Sequence, residues 1–109
     1  MHLRVKDKIM WTERTNSAIL KEIAARLKEY RLRRNLQQKE VAENAGISLD
    51  TVARFERGES IALEKFLRIL RVLGMLESIE EFVPEPPLSP ILLKKLQGKK
   101  RYRVRNSNK

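Results

Sequence analysis

The sequence has no cysteine and only one histidine, His2. Without thiolates or a histidine cluster the chain has no disulfide framework, no zinc cluster and no Cys or His nucleophile, so we expect neither a metal nor another cofactor. No apolar run approaches the roughly 20 residues that a membrane-spanning helix needs. The N-terminal segment MHLRVKDKIMW lacks the apolar core of a secretory signal, which predicts a cytoplasmic protein.

Aromatic residues are also scarce, at 6% of the 109 residues, and β-branched residues are scattered. Both features argue against a sheet-dominated fold and favour an all-α domain. A chain of this length is long enough for one small core. No paired carboxylates, Ser-His-Asp set or glycine-rich phosphate loop stands out, so an enzyme is the least favoured class and we expect none.

Acidic residues are too few to balance the basic ones: 24 Lys and Arg against 14 Asp and Glu give a formal net charge of +10. Residues 84–109 hold eight of the basic residues and one acid, net +7, which leaves net +3 for residues 1–83. A basic surface attracts polyanions and releases their counterions, so nucleic acid is the favoured partner.

The proline-rich segment PEPPLSP at residues 84–90 interrupts any helix or central strand and predicts a linker. The sequence thus predicts a flexible N-terminal arm (1–16), a helical domain (17–83), the linker (84–90), and a short helix with a basic tail (91–109). In the last segment Ser89-Pro90 begins a helix and Gly98 ends it. The final residues KKRYRVRNSNK indicate a disordered cationic arm that holds phosphates, with a solubilising tail as the alternative.

The first helix is predicted to start at Ser17, which would cap the segment AILKEIAARLKEYRLRR. Its apolar residues recur at positions i, i+3, i+4 and i+7: Leu20, Ile23, Ala24 and Leu27. The next position of this stripe is Arg31, a charge where the core should continue. Because a buried charge is costly when it is unpaired, Arg31 needs a carboxylate partner.

Two short helices are predicted next, at residues 38–45 and 49–56. Gly46 stands between them, where a left-handed turn would demand glycine, and Ser48 caps the second helix. Gly58 ends that helix. The first of the two buries three small apolar residues: Val41, Ala42 and Ala45.

The spacing in LDTVARFE divides the second short helix into two faces. Val52, Phe55 and Glu56 share one face, so Glu56 points inward and is the predicted partner of Arg31. The opposite face carries Asp50, Arg54 and Arg57, flanked by Leu49 and Ala53. A fourth helix is predicted over residues 63–72, with Gly74 as its stop, and a short fifth over 77–82. The fourth helix is expected to bury Leu63, Phe66, Leu67, Leu70 and Leu73.

The segment QQKEVAENAGISLDTVARFERGES, followed by ALEKFLRILRVLG, resembles the Cro/CI (Xre) family of helix-turn-helix proteins over about residues 22–76. Several offsets agree with the family pattern: Gln38, Glu40, Ala42, Gly46, Phe55-Glu56, Gly58 and Leu73-Gly74. The resemblance implies a compact five-helix Cro/CI-repressor-like domain whose third helix enters the DNA major groove.

The resemblance also implies contact residues. Arg54 would bind guanine O6 and N7, Asp50 would accept from cytosine N4, and Leu49 would touch a thymine methyl group. Phosphate contacts would come from Gln38, Ser48, Thr51 and Arg57. Two departures from the family pattern stand out: Gln37 replaces the usual Ser or Thr cap, which predicts a weak helix start, and Asp50 places an acid in a phosphate-lined groove. Arg31 and Glu56 are interpreted as a structural ion pair.

One helix-turn-helix unit buries little surface, so we expect a homodimer on a roughly palindromic operator. Its interface is expected to use the N-terminal arm and the fifth helix, including Leu76, Ile79, Phe82 and Val83; the alternative is that these residues close the core. The layout of helical domain, PEPPLSP and basic GKKR end is similar to HipB-like antitoxins, which implies an autoregulating repressor whose linker and ILLKKL segment dock on a HipA-type kinase toxin. Two other classes remain open: a protein-interaction adaptor that uses the fold as a scaffold, and RNA binding through the tail.

Overall fold

The computed structural model describes residues 10–97, and every regular element in that range is helical. Short 3₁₀ turns lie at Trp11–Glu13 and Leu76–Ser78. The α-helices are α1 Asn16–Arg33, α2 Gln38–Ala45, α3 Leu49–Glu56, α4 Leu63–Val72, α5 Ile79–Phe82 and α6 Pro90–Gln97. The chain divides into two compact units between Ser78 and Ile79. The all-α prediction is confirmed.

Helix α1 is capped at a different residue from the one that the sequence predicts. The side chain of Thr15, rather than Ser17, accepts a hydrogen bond from the backbone N–H of Ala18 at 3.1 Å. This bond satisfies one of the N–H groups that a helix start leaves without a partner. Trp11 lies before α1, and the guanidinium of Arg26, within α1, lies over its ring at 5.2 Å from the centroid. His2 lies outside the described residues.

Helices α2 and α3 have the predicted bounds, and the turn between them has the predicted chemistry. Gly46 has a φ of +72°, in the left-handed region that favours glycine. Ser48 caps α3 by accepting from the backbone N–H of Thr51 at 3.0 Å. The start of α2 was predicted to be weak because Gln37 is a poor cap. It is stabilised instead by the Glu40 carboxylate, which accepts a hydrogen bond from the Gln37 backbone N–H at 2.7 Å.

The core of the first unit lies between α1, α2, α3 and α4. Its buried apolar residues are Ala24, Leu27, Val41, Ala42, Ala45, Val52, Phe55, Ile69, Leu70 and Leu73. The Phe55 and Phe66 rings lie 5.8 Å apart and are tilted by 55°, a favourable aromatic arrangement. These contacts fix α3 against the other three helices and leave one of its faces for solvent.

The predicted burial of α4 is wrong at one position and incomplete at another. Leu63 is 71% exposed, because residues 62–65 are all exposed and the first turn of α4 lies outside the core. Ile69, which was not predicted, is 3% exposed. The core-facing stripe of α4 therefore starts one turn later than its periodicity suggests, at Phe66.

The second unit, described as far as Gln97, contains α5 and α6. The predicted fifth helix over 77–82 is a 3₁₀ turn at Leu76–Ser78 followed by α5. Helix α6 begins as Ser89-Pro90 predicted, with the Ser89 hydroxyl accepting from the Leu92 backbone N–H at 3.0 Å. The predicted stop at Gly98 and the basic tail lie outside the described residues. No helix between residues 10 and 97 has the length and apolar composition that a membrane crossing requires.

Candidate nucleic-acid interface

Helix α3 has one face in the core and one in solvent. Val52 and Phe55 are buried, and only 8% of the Glu56 side chain is exposed. The side chains of Asp50, Arg54 and Arg57 on the outer face are exposed by 75%, 42% and 58%. Leu49, at the start of the helix, is 48% exposed. The structure thus brings four of the predicted contact residues to one accessible surface.

The outer face of α3 is ordered by ion pairs that its own residues make. Arg54 Nε donates to Asp50 Oδ2 at 3.1 Å, one helical turn away. Arg57 Nε lies 3.4 Å from Glu59 Oε2, beyond the helix end. Each of these two exposed guanidinium groups therefore has an exposed carboxylate beside it, which offsets its charge.

Behind this face the structure places Arg31 and Glu56 in a bidentate ion pair. Arg31 Nε donates to Glu56 Oε2 at 2.6 Å, and Nη2 donates to Oε1 at 3.0 Å. Arg31 Nη1 donates to the Leu36 carbonyl oxygen at 2.7 Å. The two side chains are 9% and 8% exposed. The pair joins the last turn of α1, the segment before α2 and the last residue of α3.

Gln38, expected to hold a phosphate, has a partner within the chain. Its Nε2 donates to Glu56 Oε1 at 2.9 Å, and the residue is half-buried at the start of α2. Sequence reasoning missed this bond because it joins residues far apart in the chain and on different helices. The bond fixes the orientation of the Gln38 amide relative to α3.

Thr51, which was expected to contact phosphate, is buried. It is 4% exposed, and its hydroxyl lies 2.8 Å from the Ser48 hydroxyl. Because residues i and i+4 share a helix face, Thr51 lies above buried Phe55 rather than on the outer flank. Its burial argues against the predicted phosphate contact and makes Thr51 part of the cap of α3. Ser48 itself is exposed at the helix start.

Arg68 is a residue of this region that sequence reasoning missed. Its Nη1 donates to the Ala45 carbonyl oxygen at 3.2 Å, at the end of α2, and its Nε donates to Glu64 at 2.7 Å. A cation at a helix C-terminus interacts favourably with the carbonyl groups and the helix dipole. Arg68 thereby holds α4 against the turn that joins α2 to α3. No spacing rule in the sequence points to this contact.

The arrangement presents the hydrogen-bond donors of Arg54 and Arg57 on the exposed face of a helix. Within residues 10–97 no group of three or more His, Asp or Glu side chains is placed to hold a metal ion. An exposed helix of this kind fits the major groove of B-form DNA, which is about 12 Å wide.

A family model described as helix-turn-helix matches residues 27–80. The match starts in α1, contains all of α2, the turn, α3 and α4, and ends in α5. This range overlaps residues 22–76, over which the sequence resembles the Cro/CI (Xre) family. No curated protein matches the chain.

Proposed function

The chain belongs, through residues 27–80, to the Cro/CI (Xre) family of helix-turn-helix DNA-binding regulators, and from that premise we propose that it is a sequence-specific, dimeric repressor of its own operon. The α2-turn-α3 unit docks on double-stranded DNA with α3 in the major groove. Two copies read half-sites about one helical turn apart, so the operator is roughly palindromic.

The observation that carries this proposal is the rigid support of the outer face of α3. The helix is capped by Ser48, packed through Val52 and Phe55, and fixed at its last residue by the Arg31–Glu56 pair. A reading helix fixed in this way loses little further conformational freedom when it binds. Its exposed residues divide between two roles, with Arg54 and Leu49 directed to bases and Ser48 and Arg57 to phosphates.

Gln38 keeps a role in phosphate contact within this proposal. Its bond to Glu56 uses one N–H of an amide that has two. The second N–H, at the N-terminus of α2, is available to a phosphate oxygen, and the positive end of the helix dipole adds to the attraction.

Replacing Arg54 with alanine is expected to weaken binding to the native operator by about 10- to 100-fold, and to weaken binding to scrambled duplex much less, through the loss of one cation. The reason is that a bidentate contact to guanine contributes about 1–3 kcal/mol of base discrimination. Fluorescence anisotropy measures the specific affinity with duplex from the gene's own upstream region and the non-specific affinity with scrambled duplex, each across a salt series.

Arg33→Ala is the matched control for this experiment, because Arg33 is 75% exposed on α1 and paired with Glu29. It removes the same charge away from the outer face of α3. Equal binding of both duplexes, fading steeply with salt and indifferent to Arg54, would favour the adaptor function in which the fold is a scaffold.

The second unit supports the antitoxin part of the proposal. After the proline-rich segment, α6 exposes Ile91, Leu92 and Leu93 by 72%, 43% and 48%. A helix of eight residues is too short to be stable on apolar residues that remain in water. We therefore assign this segment to docking on a HipA-type kinase, and Phe82 and Val83 of the preceding segment to the homodimer interface.

Deletion of residues 84–109 is expected to abolish co-purification of the kinase encoded beside this gene while the helix-turn-helix domain still folds. Pull-down from cells that co-express both proteins measures the loss, and the far-ultraviolet circular dichroism of the truncated chain checks the fold. A second variant, Ile91→Ser/Leu93→Ser, keeps every charge of the tail. Capture of the kinase by both variants at the level of the intact chain would refute docking through α6.

A further inference from the structure

The Asp50–Arg54 pair lies on the outer face of α3, and its geometry is asymmetric. The bond to Asp50 Oδ2 uses Nε rather than either terminal nitrogen of the guanidinium. Within residues 10–97 no other group accepts a hydrogen bond from the Arg54 side chain, so its terminal Nη1 and Nη2 groups make no bond in that range. Arg54 is therefore braced on one side and has its terminal donors available on the other.

We propose that Asp50 is a positioning residue that holds Arg54 for end-on recognition of a guanine, so that every half-site of the operator contains a guanine at one fixed position. This inference rests on the proposed DNA-binding function and specifies which base that site reads. It also gives Asp50 a different role from direct contact with cytosine. The acid acts through Arg54 rather than on DNA.

The first step of the argument is the match between donors and acceptors. Guanine presents two adjacent acceptors, O6 and N7, in the major groove, and no other base does so. The two Nη groups of a guanidinium whose Nε is already bonded form a fork of two donors that fits this pair. A lysine ammonium carries its three donors on one nitrogen, so it has no rigid planar fork that a bond to Asp50 would leave free.

The second step concerns the cost of ordering a long side chain. A free arginine on a helix surface samples many rotamers and loses them when it binds. Asp50, four residues earlier on the same helix, restricts Arg54 before DNA arrives, and such preorganisation improves affinity and selectivity. Arg57 has no such brace on α3, since its carboxylate partner Glu59 lies beyond the helix end.

The third step explains how an acid is tolerated in a groove lined with phosphates. A lone carboxylate there would be repelled by the DNA, whereas a carboxylate bonded to a guanidinium forms a neutral pair. When the groove excludes water, the attraction within the pair becomes stronger than on the free protein surface, where it is weak. The brace is therefore tightest in the bound state.

Selection of binding sites from a randomised duplex pool tests the proposal, because it identifies the preferred operator sequence directly. The intact chain is compared with Arg54→Ala, Asp50→Ala, Asp50→Asn and the charge-matched control Glu29→Ala, which removes an acid from an exposed pair on α1. Affinities for the enriched site, for the same site with the guanine replaced, and for scrambled duplex are then measured by anisotropy. Because Asp50 is 75% exposed, its variants are expected to fold.

The intact chain is expected to enrich a half-site with a fixed guanine that Arg54→Ala loses. Asp50→Ala should retain the rest of the site but lose about tenfold in preference for that guanine. Its binding to scrambled duplex should become tighter, because one negative charge is gone. Asp50→Asn, which keeps an oxygen acceptor for Nε, should retain more of the guanine preference than Asp50→Ala. Glu29→Ala should leave the preference unchanged.

Two outcomes would overturn the positioning role and leave the repressor function intact. In one, Asp50→Ala tightens binding to every duplex and the guanine preference is unaltered. In the other, Asp50→Ala loses a cytosine at a different position and keeps the guanine, which would make Asp50 a direct reader. A pool from which the intact chain enriches no sequence would overturn both the inference and the sequence-specific function on which it rests.

Discussion

Replacing Glu56 with alanine is expected to lower the free energy of unfolding by about 3–5 kcal/mol. The variant would leave the Arg31 guanidinium, which is 9% exposed, with the Leu36 carbonyl as its one remaining acceptor within residues 10–97. It would also remove the acceptor of the Gln38 amide. A buried charge without its counter-ion keeps the full cost of its lost hydration, which is why removing one partner costs more than the pair contributes.

Urea unfolding followed by far-ultraviolet circular dichroism measures this loss. Glu29→Ala is the matched control, since it breaks an Arg–Glu pair of similar length whose side chains are 75% and 56% exposed. An exposed pair of that kind contributes about 0–1 kcal/mol. The double variant Arg31→Met/Glu56→Leu removes both charges and should be more stable than Glu56→Ala. If Glu56→Ala and Glu29→Ala lost equal stability, the network would have no special energetic role.

The Arg31–Glu56 pair could be anticipated from the sequence because helical periodicity alone identified both members. The apolar stripe of α1 continues onto Arg31, and the inward face of α3 ends on Glu56. Because a buried charge needs a counter-ion, one inward cation and one inward anion in a small core are expected to pair with each other. The bounds of α2 and α3 were predictable for a similar reason, since Gly46 and Ser48 have local conformational preferences that tertiary packing did not override.

Contacts between distant segments could not be anticipated in this way. The Gln38 bond to Glu56 and the Arg68 bond to the Ala45 carbonyl join helices whose relative placement no local pattern specifies. Periodicity also does not specify where a helix meets the core. Leu63 belongs to the apolar stripe of α4, but the first turn of that helix lies outside the core. Thr51 is buried, although the family resemblance implied that it contacts phosphate.

Substituting Gly58 with alanine is expected to destabilise the domain by about 2–5 kcal/mol through two separable effects. Gly58 has a φ of +89°, where a residue with a Cβ is strained by about 1–2 kcal/mol. A Cβ at this position would also meet α1, contacting Lys21 Cγ and lying 3.1 Å from Lys21 Cα. The lysine side chain can rotate away, but its backbone cannot move without shifting α1, and overpacking of this kind costs about 1–3 kcal/mol.

Gly74→Ala separates the two effects, because Gly74 ends α4 with the same type of hydrogen bonds and a φ of +73° but a Cβ there would have nothing within 4 Å. The free energy of unfolding that Gly74→Ala loses in urea should reflect the backbone strain alone. The additional loss in Gly58→Ala should then reflect the contact with α1. That contact lies directly after the reading helix, so a shift of α1 away from residue 58 would also move Arg31 and, through it, Glu56. Gly58→Ala should therefore weaken operator binding even under conditions where the domain is fully folded, whereas Gly74→Ala should not. Equal stability losses in the two variants would mean that α1 accommodates the methyl group, and the operator affinity of Gly58→Ala would then be expected to match that of the unsubstituted chain.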